Sequence, residues 1–200
     1  MEDKVFSYWL GWMYSDGCIY SKISNYKYRY DIITFKSIDY EVVEAFARYL
    51  DLDLSKIRQC PNDKGNLVYH FQSGNKEMIK KFQEYGVCYR KTYEKLRLPI
   101  QQGINIDAFM LGYLEGNGSI KDRVFITGPA SLLEDMKSYY SDFKIGLVYN
   151  KNSTRFEILG GLKERIRFLD ILYNTNCHTM IRKYESYSQS RAKLEEKSRK

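Results

Sequence analysis

Histidine and cysteine are scarce in this chain. Its 200 residues include two histidines, His70 and His178, and four cysteines, Cys18, Cys60, Cys88 and Cys177. No two cysteines lie two to four residues apart, so the paired spacing of structural zinc sites is missing. Cys177 beside His178 is a lone adjacent pair of potential ligands. There is no disulfide framework and no secretory signal. The expected setting is therefore intracellular: cytoplasm or nucleoid, a phage-infected cell, or an organelle. No apolar run approaches the ~18 residues of a membrane span, so no membrane partner is expected.

What is present is apolar and basic. Hydrophobic residues make up 44% of the chain, enough for a packed core, and the length suits one large domain or two small ones. Lys and Arg number 32 against 25 Asp and Glu, a net charge of +7. An excess of this sign on a folded protein points to a polyanionic partner, nucleic acid first. The 19 tyrosines suit a core and a wet polar interface equally. An AT-rich gene would enrich them too.

Hydrophobic periodicity sets out the elements. Lys4 to Asp16 reads as a helix that is apolar nearly all round, ended by Gly17. Strand-like runs follow at Cys18–Ile23 and Tyr28–Lys36, then a helix at Ile38–Leu50 with Asp39 placed to cap it. Strands near Ile57 and at Leu67–Phe71 flank the turn signal "PNDKGN", and Lys76–Tyr85 is an amphipathic helix stopped by Gly86. The second half repeats this order. A helix at Ile106–Gly116 precedes strands at Ser119–Lys121 and Val124–Thr127, and "GPASLLEDMKSYY" begins the next helix. Strands at Ile145–Tyr149 and Arg155–Leu159 and a helix at Leu162–Tyr173 complete it.

Helix, two strands, helix, two strands, helix thus occurs twice. Local parallels agree: "VVEAFARYL" with "LLEDMKSYY", and "MIKKF" with "RIRFL". The expected organisation is α+β, two pseudosymmetric αββαββα repeats at 1–98 and 104–200, with a linker at 99–103 and a helical tail on the second repeat. Both opening helices carry small residues four apart, Gly11 and Ser15 in the first, Gly112 and Gly116 in the second. That spacing shares one face and lets two helix backbones approach closely. It would bring Asp16 and Asn117 together at one end of the helix pair. Oxygen ligands without His or Cys suit a hard cation such as Mg²⁺, which can assist phosphodiester cleavage.

The stretches "WLGWMYSDG" and "FMLGYLEGNG" resemble the two motifs of the single-chain LAGLIDADG homing endonucleases. "YGVCYRKTYEKLRLP" is similar to the segment closing the first repeat of that family. The resemblance spans nearly the whole chain. It implies paired motif helices, each followed by a curved antiparallel sheet that enters the major groove of double-stranded DNA. It further implies a monomer that cuts DNA during intron homing with Mg²⁺ or Mn²⁺. It assigns the metal to Asp16 and Asn117, with Ser15 and Gly116 beside them, and assisting basic roles to Lys91 and Lys183. The second motif departs from the family pattern, because Asn117 stands where Asp or Glu is usual. Glu115, about 200° away round an ideal helix, is badly placed to substitute. An amide oxygen without charge anchors a divalent ion less well. Three outcomes stay open: weakened double-strand cleavage, nicking of one strand, or binding without cleavage. The last would make the protein a DNA-binding regulator or a maturase acting on intron RNA.

Side chains able to hold phosphates or read base edges recur on the strands and turns of both halves. They are Lys22, Lys27, Arg29, Lys36, Arg58, Gln59 and Asn62 in the first, and Lys121, Arg123, Asn150, Lys151 and Asn152 in the second.

Overall fold

The structure, a computed structural model, describes residues 3–24, 28–62, 65–87, 96–100, 103–151 and 153–199. Its elements are α1 (Lys4–Ser15), β1 (Cys18–Ser24), β2 (Tyr28–Ser37), α2 (Tyr40–Tyr49), β3 (Arg58–Pro61), β4 (Leu67–Ser73) and α3 (Lys76–Glu84). The same order follows as α4 (Ile106–Asn117), β5 (Gly118–Ser119), β6 (Phe125–Gly128), α5 (Ala130–Tyr139), β7 (Ile145–Tyr149), β8 (Thr154–Ile158) and α6 (Gly161–Tyr173). A last helix, α7 (Ile181–Ser198), lies beyond the repeat. The two αββαββα halves read from periodicity are therefore present. Among the described residues no helix is long and apolar enough to cross a membrane.

Two compact units can be told apart: residues 12–91, and residues 1–11 together with 92–200. The boundary falls inside α1, after Gly11. In the first unit four antiparallel strands run in the order β1-β2-β4-β3. Phe35 lies opposite Phe71 across the sheet, and with Phe46 of α2 and Trp12 of α1 they form an edge-to-face aromatic core. Asn75 caps α3 by accepting from the Met78 amide at 3.1 Å. Asp39 holds the corresponding position of α2, yet its side chain makes no capping bond. Ser37 Oγ accepts from the Asp39 amide instead.

In the second unit the sheet order is β5-β6-β8-β7. Ile126 and Phe156 pair across it and are buried, as are Leu132 and Met136 of α5, and the Phe156 ring lies 6.3 Å from that of Phe168 of α6. Asn105 caps α4 by accepting from the Ala108 amide at 2.8 Å. β5 is shorter than the periodicity suggests. Gly118 and Ser119 pair with Ile126 and Phe125, and the chain then leaves the sheet. Gly118 must be glycine here. A Cβ would stand 2.6 Å from the Leu114 carbonyl oxygen and 2.8 Å from that of Phe125.

α1 and α4 meet at Gly11, one of the small residues whose spacing predicts a close approach. Gly11 is buried, and a Cβ there would stand 2.7 Å from the Tyr113 backbone nitrogen and collide with the Phe109 carbonyl oxygen. Only a hydrogen fits between the two backbones.

Candidate active site and nucleic-acid interface

The first motif ends in an exposed carboxylate. The Ser15 hydroxyl and the Asp16 and Gly17 amides all donate to the Trp12 carbonyl, at 2.9, 3.0 and 3.1 Å, closing the last turn of α1. Asp16 is exposed at that end. Gly17 then turns the chain into β1 at a place where a Cβ would lie 2.8 Å from Met13 Cα. The carboxylate therefore projects from a fixed helix terminus.

The second motif ends differently. Asn117, half-buried, is the last residue of α4, and its carbonyl accepts from Thr127 Oγ1 at 3.3 Å. The Lys183 ammonium, brought by α7, donates to the carbonyls of Leu114, Glu115 and Gly118 at 2.8, 2.6 and 2.7 Å. Those three bonds use every proton the ammonium has. They place a positive charge on the negative end of the helix dipole. Lys183 is 5% exposed, so it is built into the structure as a C-terminal clamp. Replacing it with Met should lower unfolding free energy by about 2 kcal/mol, because carbonyls left buried lose a charge-assisted donor. The denaturation midpoint of Lys183→Met against wild type measures this, and an unchanged midpoint would refute the clamp.

Glu115 is 0% exposed and turned into the protein. Its Oε2 accepts from the Tyr8 hydroxyl at 2.6 Å and its Oε1 from the Met180 amide at 2.9 Å. It ties α1, α4 and the start of α7 together and is not presented to solvent as a ligand. Burial raises the Tyr173 hydroxyl far above the ordinary phenol range, and the Glu115 charge adds to the shift.

Among the described residues, no three His, Cys, Asp or Glu side chains cluster closely enough to hold a metal by themselves. The exposed Asp16 carboxylate suits a cation that completes its shell with water and phosphate oxygens, which is the habit of Mg²⁺.

Strand register sorts the candidate DNA-contacting side chains by face. On the first sheet Lys36, His70 and Arg58 stand in one row, and Lys22 lies opposite Tyr30 on the same face. Phe35, Phe71 and Ile33 point the other way, into the core. Lys22, Lys36 and Arg58 therefore share the open face. Arg29 and Gln59, opposite Ile23 and Tyr69, fall on the other. The Asp31 carboxylate on that same side accepts from Gln83 of α3, which marks it as the helix-bearing face. Asn62 builds its turn, accepting from the Asn66 amide at 2.9 Å. Lys121 and Arg123 are exposed between β5 and β6, and Asn150 and Lys151 are exposed in the β7–β8 turn. Lys27, Lys91 and Asn152 lie outside the described residues.

Sequence reasoning missed several open-face side chains. His70 and Gln72 join Lys22, Lys56 and Arg58 around a groove of about 420 Å³, and Gln72 Nε2 donates to the Tyr20 hydroxyl at 2.9 Å. In the second sheet Arg155 lies over the Phe125 ring, 3.9 Å from its centroid.

Neither a protein-family model nor a protein of known function matches the sequence. Solved structures match the fold. The LAGLIDADG meganuclease I-AabMI bound to uncleaved DNA superposes with a TM-score of 0.64 at 10% identity, over 95% of this chain and 89% of that one. The meganuclease I-SmaMI bound to uncleavable DNA gives 0.61 at 13% identity, over 94% and 90%. Mesophilic variants of the homing endonuclease I-DmoI give 0.59 at 16%, over 84% and 94%. This is the LAGLIDADG homing endonuclease fold. In that fold α1 and α4 are the motif helices, and the two four-stranded sheets follow them in the chain.

Proposed function

We propose that the protein is a site-specific endonuclease that cuts double-stranded DNA with a divalent metal ion, Mg²⁺ or Mn²⁺. The observation that carries this is Asp16: an exposed carboxylate on a rigid motif-helix end, leading directly into a sheet whose open face bears Lys22, Lys36 and Arg58. Structures of this fold are known with DNA and Ca, with DNA and Mn, and with target DNA nicked in one strand. Bound there, the ion would activate water and stabilise the leaving oxygen.

The chain's own residues have distinct tasks. Asp16 supplies the charged ligand. The Ser15 hydroxyl is engaged with Trp12, so its backbone carbonyl is the group it offers, as is that of Gly116. Asn117 offers an amide oxygen without charge. Lys183 keeps the end of α4 in place and acts through that end, while Lys91 is the corresponding candidate in the first half. The open sheet faces hold phosphates and read base edges in the major groove.

The two motif ends are unequal, so the two strands should be cut unequally. A duplex of the uninterrupted host locus, with each strand labelled separately, tests this on a denaturing gel with and without Mg²⁺. One strand cut much faster than the other is the expected result. Equal rates would show that Asn117 serves as well as an acid. Tight binding with neither strand cut would overturn the endonuclease and favour a DNA-binding regulator or an intron maturase.

A further inference from the structure

We propose that Arg155 and Glu157 form a pre-aligned pair that reads a guanine and a neighbouring cytosine in one half of the DNA site. This rests on the DNA-binding function above and adds the bases that the second sheet selects. Thr154, Phe156 and Ile158 alternate into the core, so Arg155 and Glu157 rise from the open face of β8. Register surrounds them with Phe125, Thr127 and Val148, none of them charged.

Two constraints hold the Arg155 side chain. Its guanidinium lies over the Phe125 ring, and its Nη2 is 3.2 Å from Glu157 Oε2. Its Nε is buried with no hydrogen-bond partner among the described residues. The ring sets the plane of the fork and the carboxylate sets its rotation. A fork held this way is what two-point recognition of guanine O6 and N7 requires, and little side-chain freedom remains to be lost on binding.

Glu157 is the more telling partner. It also faces Arg123, at 3.6 Å. A surface that served only to grip phosphates would gain nothing from a carboxylate that neutralises its arginines. The open face of the other sheet carries no such carboxylate: among its described side chains, Lys22, Lys36 and Arg58 stand without an acid. A carboxylate does accept from cytosine N4, and its lone pairs outnumber the two arginines facing it. It also repels bases that present only acceptors, which is discrimination by penalty.

The test is selection from a duplex library with a randomised central segment. Binding is carried out in Ca²⁺ and retained molecules are sequenced for wild type, Arg155→Lys and Glu157→Gln. Wild-type sites should carry guanine and cytosine at two fixed positions in one half. Arg155→Lys keeps the charge but loses the fork, so guanine preference should fall about tenfold at one position. Glu157→Gln should bind all duplexes more tightly, because it releases two arginines, while its cytosine preference drops by a similar factor. Enriched sites whose base preferences neither variant changes would overturn the base reading and leave DNA recognition standing. Failure to retain any duplex would overturn the DNA-binding function itself.

Discussion

Asp16→Asn should lower DNA cleavage by at least about 1,000-fold. Metal-assisted phosphodiester hydrolysis draws several kcal/mol from the ion, and each 1.4 kcal/mol is a factor of ten. The amide keeps the shape of the side chain and one acceptor oxygen but removes the charge proposed to hold the cation. Asp16 is exposed and the amide is isosteric with the carboxylate, so the variant should fold. Duplex affinity in Ca²⁺ should change by less than about threefold, since removing one negative charge from an exposed helix end costs nothing against phosphate. The check is paired: cleavage in Mg²⁺ and gel retardation in Ca²⁺ on the same duplex. Cleavage retained by the variant would remove Asp16 from the metal site. Binding lost together with cleavage would mean that the residue holds the helix end and not a cation.

Gly11→Val should cost about 3 kcal/mol or more of stability, the largest loss expected from any single substitution considered. Backbone atoms bound the site on α4, the Phe109 carbonyl and the Tyr113 nitrogen. Backbone yields less than a side chain, so overpacking here separates two helices rather than shifting a rotamer. Gly74→Ala is the control, because nothing lies within 4 Å of a Cβ at Gly74. Its denaturation midpoint should stay within about 0.5 kcal/mol of wild type. Equal stability of Gly11→Val and wild type would contradict the close helix crossing.

The helix crossing was legible because two glycine-spaced faces recur at matching places, and a residue that must be small announces itself in sequence. The repeat was legible for a similar reason, since period and order survive where individual residues differ. Side-chain direction in the sheets was not. Arg29 and Lys22 look alike as strand cations, but a one-residue difference in register sends them to opposite faces. In the sequence Arg155 is one charge at the start of a strand-like run. What sets it apart, the Phe125 ring and the Glu157 carboxylate, comes from pairing across β6 and β8. Lys183 in "IRKY" resembles a surface lysine because its three partners are backbone carbonyls, which no sequence displays. Glu115 looked merely misplaced as a ligand. Its partners, Tyr8 and the Met180 amide, are 107 and 65 residues away in the chain.

The clamp on α4 also has a schedule. Lys183 follows Leu114 by 69 residues. On a ribosome adding about 5–20 residues per second, that is a wait of roughly 3–14 s between the helix and the cation that closes it. Through that interval the second motif exists without its finished end. A nascent chain therefore makes residues 12–91, the first compact unit and the one that holds Asp16, well before the second can be assembled. The second motif helix gains its finished end only after nearly all of α7's first turn has been made.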